Sequence, residues 1–420
     1  MTVTIDHDRI AQQIDSMLPP LREVYEDLHA HPELSFQEHR TAGVVADRLD
    51  ALGFEVTTGV GGTGVVATLG DDGPPVLLRA DIDALPVEEA TGLSYASTQR
   101  GMTAAGDDVP IAHACGHDMH VTWMLGVAEL LASDRSAWGG RAMLVFQPAE
   151  EVGGGAAAMC DDGLFERFGT PVVGLGQHVA PAPAGWLLSR SGVAMAASDS
   201  LKVVLHGRGG HGSSPESTVD PVVLAASTIM RLQSIVSREL AARESAVVTV
   251  GTVHAGTKEN IIADRAELGL NVRTFDAKVR DRVLAAIERI VHGEAHAAGC
   301  PSSPEIEPIS RFPALHNDPT TTTTVEAAFR SHFAADRVLE APPASASEDF
   351  GLLGERGGFP SSFWFVGGAD HATFFDALAA NRVNEDIPAN HSPLYAPIQN
   401  PTMAAGIEAM YVAARQWLTA

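Results

Sequence analysis

The 420-residue chain has only three cysteines, Cys115, Cys160 and Cys300, which are widely spaced and odd in number. This pattern is not typical of a disulfide framework, so a reducing compartment fits better. Long hydrophobic runs are also lacking, since no stretch reaches the roughly 18 apolar residues that span a bilayer. The first residues lack the charged and apolar regions of a signal peptide. We therefore expect a cytoplasmic protein without membrane association.

Basic residues are scarce as well. Lys and Arg number 28 against 53 Asp and Glu, which gives a formal net charge of −25 at pH 7. Nucleic-acid backbones and anionic membranes both require basic patches on a protein that binds them, so the charge balance argues against both partners. The length and the 45% hydrophobic content are ordinary for a globular protein of two or three domains.

One stretch, 113–120 with the sequence HACGHDMH, is dense in side chains that bind metals and directly precedes an apolar run with helical spacing. Cys115 and His117 can face one centre, because Gly116 between them allows a sharp turn. A thiolate and an imidazole suit zinc, and with carboxylates also nickel, cobalt or manganese. The alternative is a buried structural cysteine beside a helix cap, so the remaining ligands must be found elsewhere.

Candidate ligands recur directly after apolar segments that the pattern predicts as buried strands. They are Asp81 and Asp83 after 75–79, Glu150 and Glu151 after 142–146, and His178 at the end of the strand 171–177. In open α/β sheets, ligands bind beyond the carboxyl ends of the strands. Adjacent residues of an extended segment face opposite ways, so one of the two glutamates can bind metal while the other moves a proton.

The region before the first strands is predicted to be helical. Its apolar spacing over residues 5–30 is interrupted by Pro19-Pro20, which predicts two helical segments rather than one. Ser35 and Glu38 have the spacing of a capping box before a further helix. His29, at the end of the first region, is a weaker ligand candidate.

The composition changes between about Ser198 and Glu307, where the pattern predicts the order β-α-β-β-α. This order indicates a small α+β domain inserted into the main α/β domain. Its first loop, 207–215, carries His211 between glycines but lacks the Gly-Lys-Ser ending of a phosphate-binding loop. We therefore expect His211 to reach a substrate.

Together these motifs resemble the metal-dependent aminoacylase/carboxypeptidase-type peptidase family, in particular its amidohydrolase branch of hippurate hydrolases, N-acyl-amino-acid amidohydrolases and auxin-conjugate hydrolases. The motifs that carry the resemblance are RADIDALP at 79–86, HACGHD at 113–118, QPAEE at 147–151, His178, GHG at 210–212 and HSP at 391–393. They lie in the family's order and cover nearly the whole chain.

The resemblance implies an α/β fold with two domains. A dinuclear-metal catalytic domain, with a mixed sheet flanked by helices, would comprise 1–189 and 308–420. An inserted α+β domain, 190–307, would serve as lid and as dimerisation module of a homodimer.

The resemblance also implies two divalent ions, manganese, zinc, nickel or cobalt. Cys115 would bridge them, Glu151 and His391 would complete the coordination of one ion, and His117 and His178 that of the other.

Further roles follow from the same resemblance. Glu150 would be the general base and Asp83 a carboxylate that orients a metal ligand. His211 would reach the site of the neighbouring subunit and polarise the scissile carbonyl. Asn260 and Arg273 would bind the substrate carboxylate, a task that suits Arg because its planar fork pairs with a carboxylate through two hydrogen bonds.

The implied activity is hydrolysis of the amide bond of N-acyl amino acids, hippurate-like or related conjugates, by metal-activated water with a Glu base. A dipeptidase or a carbamoyl amidohydrolase on the same scaffold is the alternative. Two more distant hypotheses make Cys115 a covalent nucleophile, or the chain a metal-binding protein without catalysis. The first leaves most of the candidate ligands without a role, and an intact Glu150 argues against the second.

Overall fold

The computed structural model describes residues 5–419. The expectation about a signal peptide concerns the first residues and lies in part outside this range, because Met1–Thr4 are not described. Within 5–419, no helix combines the length and the hydrophobicity needed to cross a membrane.

The described chain contains both helices and strands. The helices are α1 His7–Ala30, α2 His39–Ala51, α3 His117–Ser133, α4 Gly155–Asp161, α5 Leu164–Phe168, α6 Pro221–Ser234, α7 Ala277–Ala297, α8 Pro319–His332, α9 Gly351–Gly357, α10 His371–Ala379, α11 Val383–Asp386 and α12 Gln399–Ala414. The strands are β1 Glu55–Val60, β2 Gly64–Gly70, β3 Pro75–Asp81, β4 Arg100–Met102, β5 Asp108–Pro110, β6 Arg141–Gln147, β7 Val173–Pro183, β8 Leu187–Ser189, β9 Gly192–Met195, β10 Ala197–His206, β11 Gly210–His211, β12 Ala246–Ala255, β13 Ile261–Ile262, β14 Arg265–Thr274, β15 Glu305–Phe312, β16 Leu315–Asn317, β17 Val338–Glu340 and β18 Ser361–Ala369.

These elements form two compact units. One comprises the described chain up to Ala194, His316–Pro342 and the part from Asp349 onward, and the other comprises Met195–Leu315 and Pro343–Glu348. The function of the second unit as lid and dimerisation module stays a prediction.

An eight-stranded mixed sheet lies at the centre of the first unit, in the order β1-β2-β6-β3-β7-β18-β8-β17. Strands β6, β3, β7 and β18 run parallel to one another. The pairs β1-β2, β2-β6 and β18-β8 are antiparallel, and β8-β17 is parallel. Helices α1, α3 and α12 pack together beside this sheet. The predicted fold class, a mixed sheet flanked by helices, is confirmed.

The parallel strands place the candidate ligands close together. Every residue of β3 is buried, as expected for a strand whose faces are both covered. Its register sets Asp81 opposite Gln147 of β6, so the chain segments that follow both strands start at the same edge of the sheet. The prediction that β7 ends before His178 is wrong, because pairing with β18 continues as far as Pro183.

Helix α1 continues through Pro19 and Pro20, so the prediction of two segments is wrong. A proline inside a helix removes a hydrogen bond and costs about 3 kcal/mol. The apolar face of α1 is buried against α3 and α12, and each buried aliphatic side chain contributes about 1.5–3 kcal/mol. Burial along the whole face therefore outweighs the prolines.

The predicted capping box is also wrong. Helix α2 begins at His39 without a side-chain cap. The Ser35 hydroxyl donates instead to Asp83 Oδ2 at 2.7 Å, and Glu38 Oε1 accepts from the backbone N–H groups of Phe36 and Ala149 at 2.9 Å each. Glu38 is fully buried, and leaving buried donors unsatisfied costs more free energy than an uncapped helix end in water.

The second unit contains an antiparallel sheet in the order β12-β14-β10-β15. Helices α6 and α7 bury their apolar faces against it in a separate hydrophobic core. Apart from the short strands β11 and β13 and the edge strand β15, which follows α7, the elements follow the predicted order β-α-β-β-α.

A buried arginine holds together the acidic groups at the end of β3. The Arg79 guanidinium donates to Asp81 Oδ2 at 2.7 Å and to Asp349 Oδ1 at 3.2 Å, and its Nε donates to Gln147 Oε1 at 2.9 Å. The side chains of Arg79 and Asp81 are completely inaccessible to solvent. Loss of the guanidinium would remove the positive charge that these two buried carboxylates share.

We expect Arg79→Met to lower the free energy of unfolding by about 3–5 kcal/mol, the range for removing one partner of a buried ion pair. Arg100→Met is the control, because Arg100 forms an exposed pair with Asp108 and should cost less than about 1 kcal/mol. Urea unfolding at pH 7 measures both effects. Equal losses in the two variants would contradict this role of Arg79.

A second buried network links α1 to the start of α3. His29 Nδ1 lies 2.6 Å from Asp118 Oδ2, and His29 Nε2 lies 3.0 Å from Glu89 Oε1. Burial alone would lower the pKa of His29, but the charge of Asp118 and the hydrogen bonds to both carboxylates raise it to about 10. Since both ring nitrogens have carboxylate partners, His29 stabilises this junction and is not available as a metal ligand.

The network predicts a defined pH dependence of stability. His29 binds a proton more tightly in the folded state than its ordinary pKa of about 6.5 allows in the unfolded chain. Its contribution is therefore complete below pH 6.5 and is lost as the pH rises toward 10, at no more than about 1.4 kcal/mol per pH unit. Urea unfolding between pH 6 and 10 should show the difference between wild type and His29→Gln shrinking steadily.

The control for this series is His31→Gln, since the His31 side chain at the end of the same helix is 44% exposed. The loss of unfolding free energy in His31→Gln should stay below about 1 kcal/mol, because its ion pair with Asp27 is exposed. A difference between wild type and His29→Gln that stays constant over the whole pH range would refute the assignment.

Candidate metal centre

The turn before α3 has the predicted conformation. Gly116 adopts a left-handed φ of 85°, and a Cβ at this position would lie 2.4 Å from Val179 Cγ1. Only glycine fits both the conformation and the close approach. Cys115 and His117, on either side of the turn, are both buried.

His117 is oriented by Asp83. Its Nδ1 lies 2.9 Å from the Asp83 carbonyl oxygen and 3.2 Å from Asp83 Oδ1, and because both are acceptors, Nδ1 carries the proton. Its Nε2 lies 3.7 Å from Glu151 Oε1. Asp83 Oδ2 also accepts from the Glu151 backbone N–H at 3.1 Å. One carboxylate therefore positions two of the predicted ligands, as is usual around metal sites.

His178 is held in the same manner. Its Nδ1 donates to the backbone carbonyl of Val179 at 2.7 Å, and its Nε2 lies 3.4 Å from Cys115 Sγ. Burial holds the pKa of His178 well below its ordinary value. The ring is therefore neutral, which is the form that binds metals.

His391 reaches the site from a distant part of the chain. Its backbone adopts a left-handed φ of 71°, and its N–H donates to Ala114 O at 2.7 Å. Asn390 Nδ2 donates to Cys115 O at 3.1 Å. These bonds fasten the loop to the segment before α3 and place His391 Nε2 3.3 Å from Glu151 Oε2.

The structure thus brings the five predicted ligands together, and their chemistry fits divalent cations. Among the described residues, His117 Nε2 and Glu151 Oε1 are buried without a hydrogen-bond partner. Burial, together with the charges of Asp83 and Asp81, raises the pKa of Glu151 to about 8. Burial also raises the pKa of the Cys115 thiol. A cation would offset both penalties, and a set of thiolate, imidazole and carboxylate donors suits zinc and its neighbours.

Two further residues belong to the site: Asp81, a candidate ligand from the sequence, and His120, which the sequence analysis did not single out. Asp81 and His120 have ligand atoms within 4.8 Å of those of His117 and His178. His120 Nδ1 hydrogen-bonds Asp81, and its Nε2 accepts from the Val179 backbone N–H at 2.9 Å. Because both nitrogens of His120 already have partners, the pair of His120 and Asp81 supports the neighbouring metal ligands. The three-residue spacing of His117 and His120 on one helix face was the signal that could have revealed it.

Glu150, the predicted base, is buried and directly follows Ala149. Ala149 has a left-handed φ of 50°, and its N–H is bound by Glu38. Burial and the charge of Asp83 raise the pKa of Glu38 to about 7. A buried carboxyl group thus fixes the strained backbone from which both glutamates project.

The remaining predicted residues lie in the second unit. His211 pairs with Ile261, and the Gly212 N–H donates to Asn260 O at 2.9 Å, so His211 and Asn260 are neighbours. The structure does not show Arg273 in contact with them. Its guanidinium donates to Ser345 O at 2.6 Å and to Asn271 Oδ1 at 3.1 Å. The roles predicted for all three residues stay predictions.

Comparison with known proteins agrees with this arrangement. The family model described as peptidase family M20/M25/M40 matches residues 77–392. The hippurate hydrolase of Campylobacter jejuni is 39% identical over 334 residues, which are 78% of this chain and 83% of that protein. Thermostable carboxypeptidase 1 of Saccharolobus solfataricus is 36% identical over 347 residues, 81% of this chain and 84% of that protein.

A solved structure supports the same assignment. The Bacillus subtilis YXEP protein, described as a dinuclear metal binding peptidase from the M20 family, has a TM-score of 0.73 and 29% identity, with coverage of 95% of this chain and 98% of that chain. The matched region of the family model contains all five predicted metal ligands. The chain therefore belongs to peptidase family M20/M25/M40 and is a metal-dependent hydrolase that acts on amide bonds.

Proposed function

We propose that this hydrolase cleaves the amide bond of N-acyl amino acids. The observation that carries the proposal is the convergence of Cys115, His117, Glu151, His178 and His391 beside the buried Glu150. The similarity to a hippurate hydrolase points to the substrate class, because hippurate is an N-acyl glycine. The similarity to a carboxypeptidase is compatible, since a peptide bond to a C-terminal residue is also an amide between an acyl group and an amino acid.

The five ligand residues would hold two divalent ions. When bound, the ions supply Lewis acidity, which lowers the pKa of a water from about 15.7 toward 7 and polarises a carbonyl oxygen. Asp83 keeps the His117 proton on Nδ1 and the Val179 carbonyl keeps the His178 proton on Nδ1. Both rings therefore present their Nε2 lone pairs to the same pocket.

Glu150 acts as the general base in this proposal. It accepts a proton from the attacking water and delivers it to the nitrogen of the departing amine. Proton transfer by a positioned side chain contributes about 10²- to 10⁴-fold to rate. Glu151 is not the general base in this proposal, because one of its carboxylate oxygens faces His117 and the other faces His391.

The second unit supplies the substrate contacts. His211 would stabilise the oxyanion in the site of a neighbouring subunit, while Asn260 and Arg273 would bind the substrate carboxylate. The Arg273 side chain is held by Asn271 and Ser345, so little conformational entropy is lost when its fork pairs with a ligand. This arrangement requires a homodimer formed through the second unit.

The competing hypothesis of a Cys115 nucleophile receives no support from the electrostatics. Nucleophilic cysteines have a lowered pKa, because the thiolate is the reactive form. Burial and the charge of Glu151 instead raise the pKa of Cys115. His178 Nε2, which lies 3.4 Å from Cys115 Sγ, belongs to a ring whose protonation burial disfavours.

The adjacent glutamates provide a matched pair of variants. We expect Glu150→Gln to lower kcat on N-acyl amino acids by about 10²- to 10⁴-fold with unchanged metal content, because it removes the base and no ligand. Glu151→Gln should lower the metal content itself. Steady-state kinetics and elemental analysis of both purified variants distinguish the two roles.

The substrate panel for this experiment contains N-acyl amino acids, dipeptides and N-carbamoyl amino acids with the same amino acid. The highest kcat/KM of the wild type should fall on the N-acyl compounds. Preference for dipeptides or carbamoyl compounds would replace the proposed substrate class by one of the alternatives. Full turnover by Glu150→Gln would remove Glu150 from the mechanism.

A further inference from the structure

A second cluster of metal-binding side chains lies in the first unit and shares no residue with the catalytic site. It joins three helices: His7 is the first residue of α1, His332 the last of α8, and Glu408 lies on α12. His7 Nδ1 lies 3.1 Å from His332 Nε2 and 3.1 Å from Glu408 Oε1. His332 Nε2 lies 2.8 Å from the same Glu408 oxygen.

The three atoms form a nearly equilateral triangle of possible ligands. In tetrahedral zinc sites the bonds to nitrogen and oxygen measure about 2.0–2.2 Å, which separates neighbouring ligand atoms by about 3.3–3.5 Å. The edges of the triangle need to widen by about 0.2–0.7 Å to hold an ion. Two imidazoles and one carboxylate suit zinc and other divalent transition metals, whereas calcium and magnesium prefer oxygen ligands alone.

The cluster is accessible to solvent on one side. The side chains of His332 and Glu408 are 6% and 13% exposed, whereas that of His7 is 54% exposed. The two inner ligands are therefore fixed by packing, and an ion can enter from the solvent past His7. The exposed side leaves room for water as a fourth ligand, as in other sites with three protein ligands.

We propose that His7, His332 and Glu408 form an additional Zn²⁺ site that fastens the first turn of α1 to α8 and α12. An ion that binds the folded chain and not the unfolded chain stabilises the fold by mass action. The site is separate from the chemistry, so its loss should alter stability and metal content and leave hydrolysis unchanged.

The test compares the metal-loaded wild type with His7→Ala, which removes an exposed side chain. After equilibration with the same micromolar concentration of free Zn²⁺, elemental analysis should find one zinc equivalent per chain fewer in the variant. Added Zn²⁺ should raise the Tm of the wild type and not that of His7→Ala. The rate of hydrolysis should be equal in both.

His39→Ala serves as the matched control, because His39 is likewise an exposed histidine at the first residue of a helix. It should retain the zinc content and the Tm shift of the wild type. Glu408→Gln removes a ligand from a different helix and should behave as His7→Ala does. Equal zinc content and equal Tm shifts in wild type, His7→Ala and Glu408→Gln would overturn the proposal.

Discussion

The structure depends on one constraint, which is that the charges of groups buried at the edge of the central sheet must be compensated. A carboxylate removed from water is costly unless a cation or several hydrogen-bond donors compensate it. Arg79 and His120 compensate Asp81 within the protein. Glu151 and Cys115 lack comparable compensation, and burial raises the pKa of both. The protein therefore compensates the charge of Asp81 by itself, whereas Glu151 and Cys115 rely on divalent cations.

The same constraint explains why the supporting residues come from so many elements. Asp83 follows β3, binds the first residue of α3 and holds the backbone of Glu151. Glu38, between α1 and α2, holds the backbone of Ala149, and Asn390 bonds to the carbonyl of Cys115. Each bond satisfies a buried polar group and fixes a ligand or its neighbour. The geometry of the site is therefore set before any ion binds, as electrostatic catalysis requires.

Much of the site could be predicted from sequence because many of its functional residues lie next to one another in the chain. Cys115 and His117 flank one glycine, and Glu150 and Glu151 directly follow an apolar strand. His391 is different, because nothing near it in sequence marks it as a ligand, and it was assigned through the family resemblance alone. The contact between Asp81 and His120 was not predicted, since it joins a strand to a helix and exists only in the folded chain.

The errors in the fold prediction have related causes. Pro19 and Pro20 favour a helix break by local rules, but burial of the face of α1 against α3 and α12 prevails. Ser35 and Glu38 have the spacing of a helix cap, but buried partners elsewhere claim both side chains. Strand β7 extends past His178 because β18 continues to pair with it. In each case a tertiary contact outweighed a local preference, which a single sequence does not reveal.

The most direct test of a two-metal hydrolase is to measure hydrolysis of an N-acyl amino acid and metal content on one sample, before and after complete chelation and again after metal return. Activity should vanish with the metal and return as manganese, zinc, cobalt or nickel is restored to about two equivalents per chain. Using His7→Ala for this titration avoids counting zinc bound at the additional site of His7, His332 and Glu408. Activity that survives complete removal of metal would contradict the two-metal mechanism.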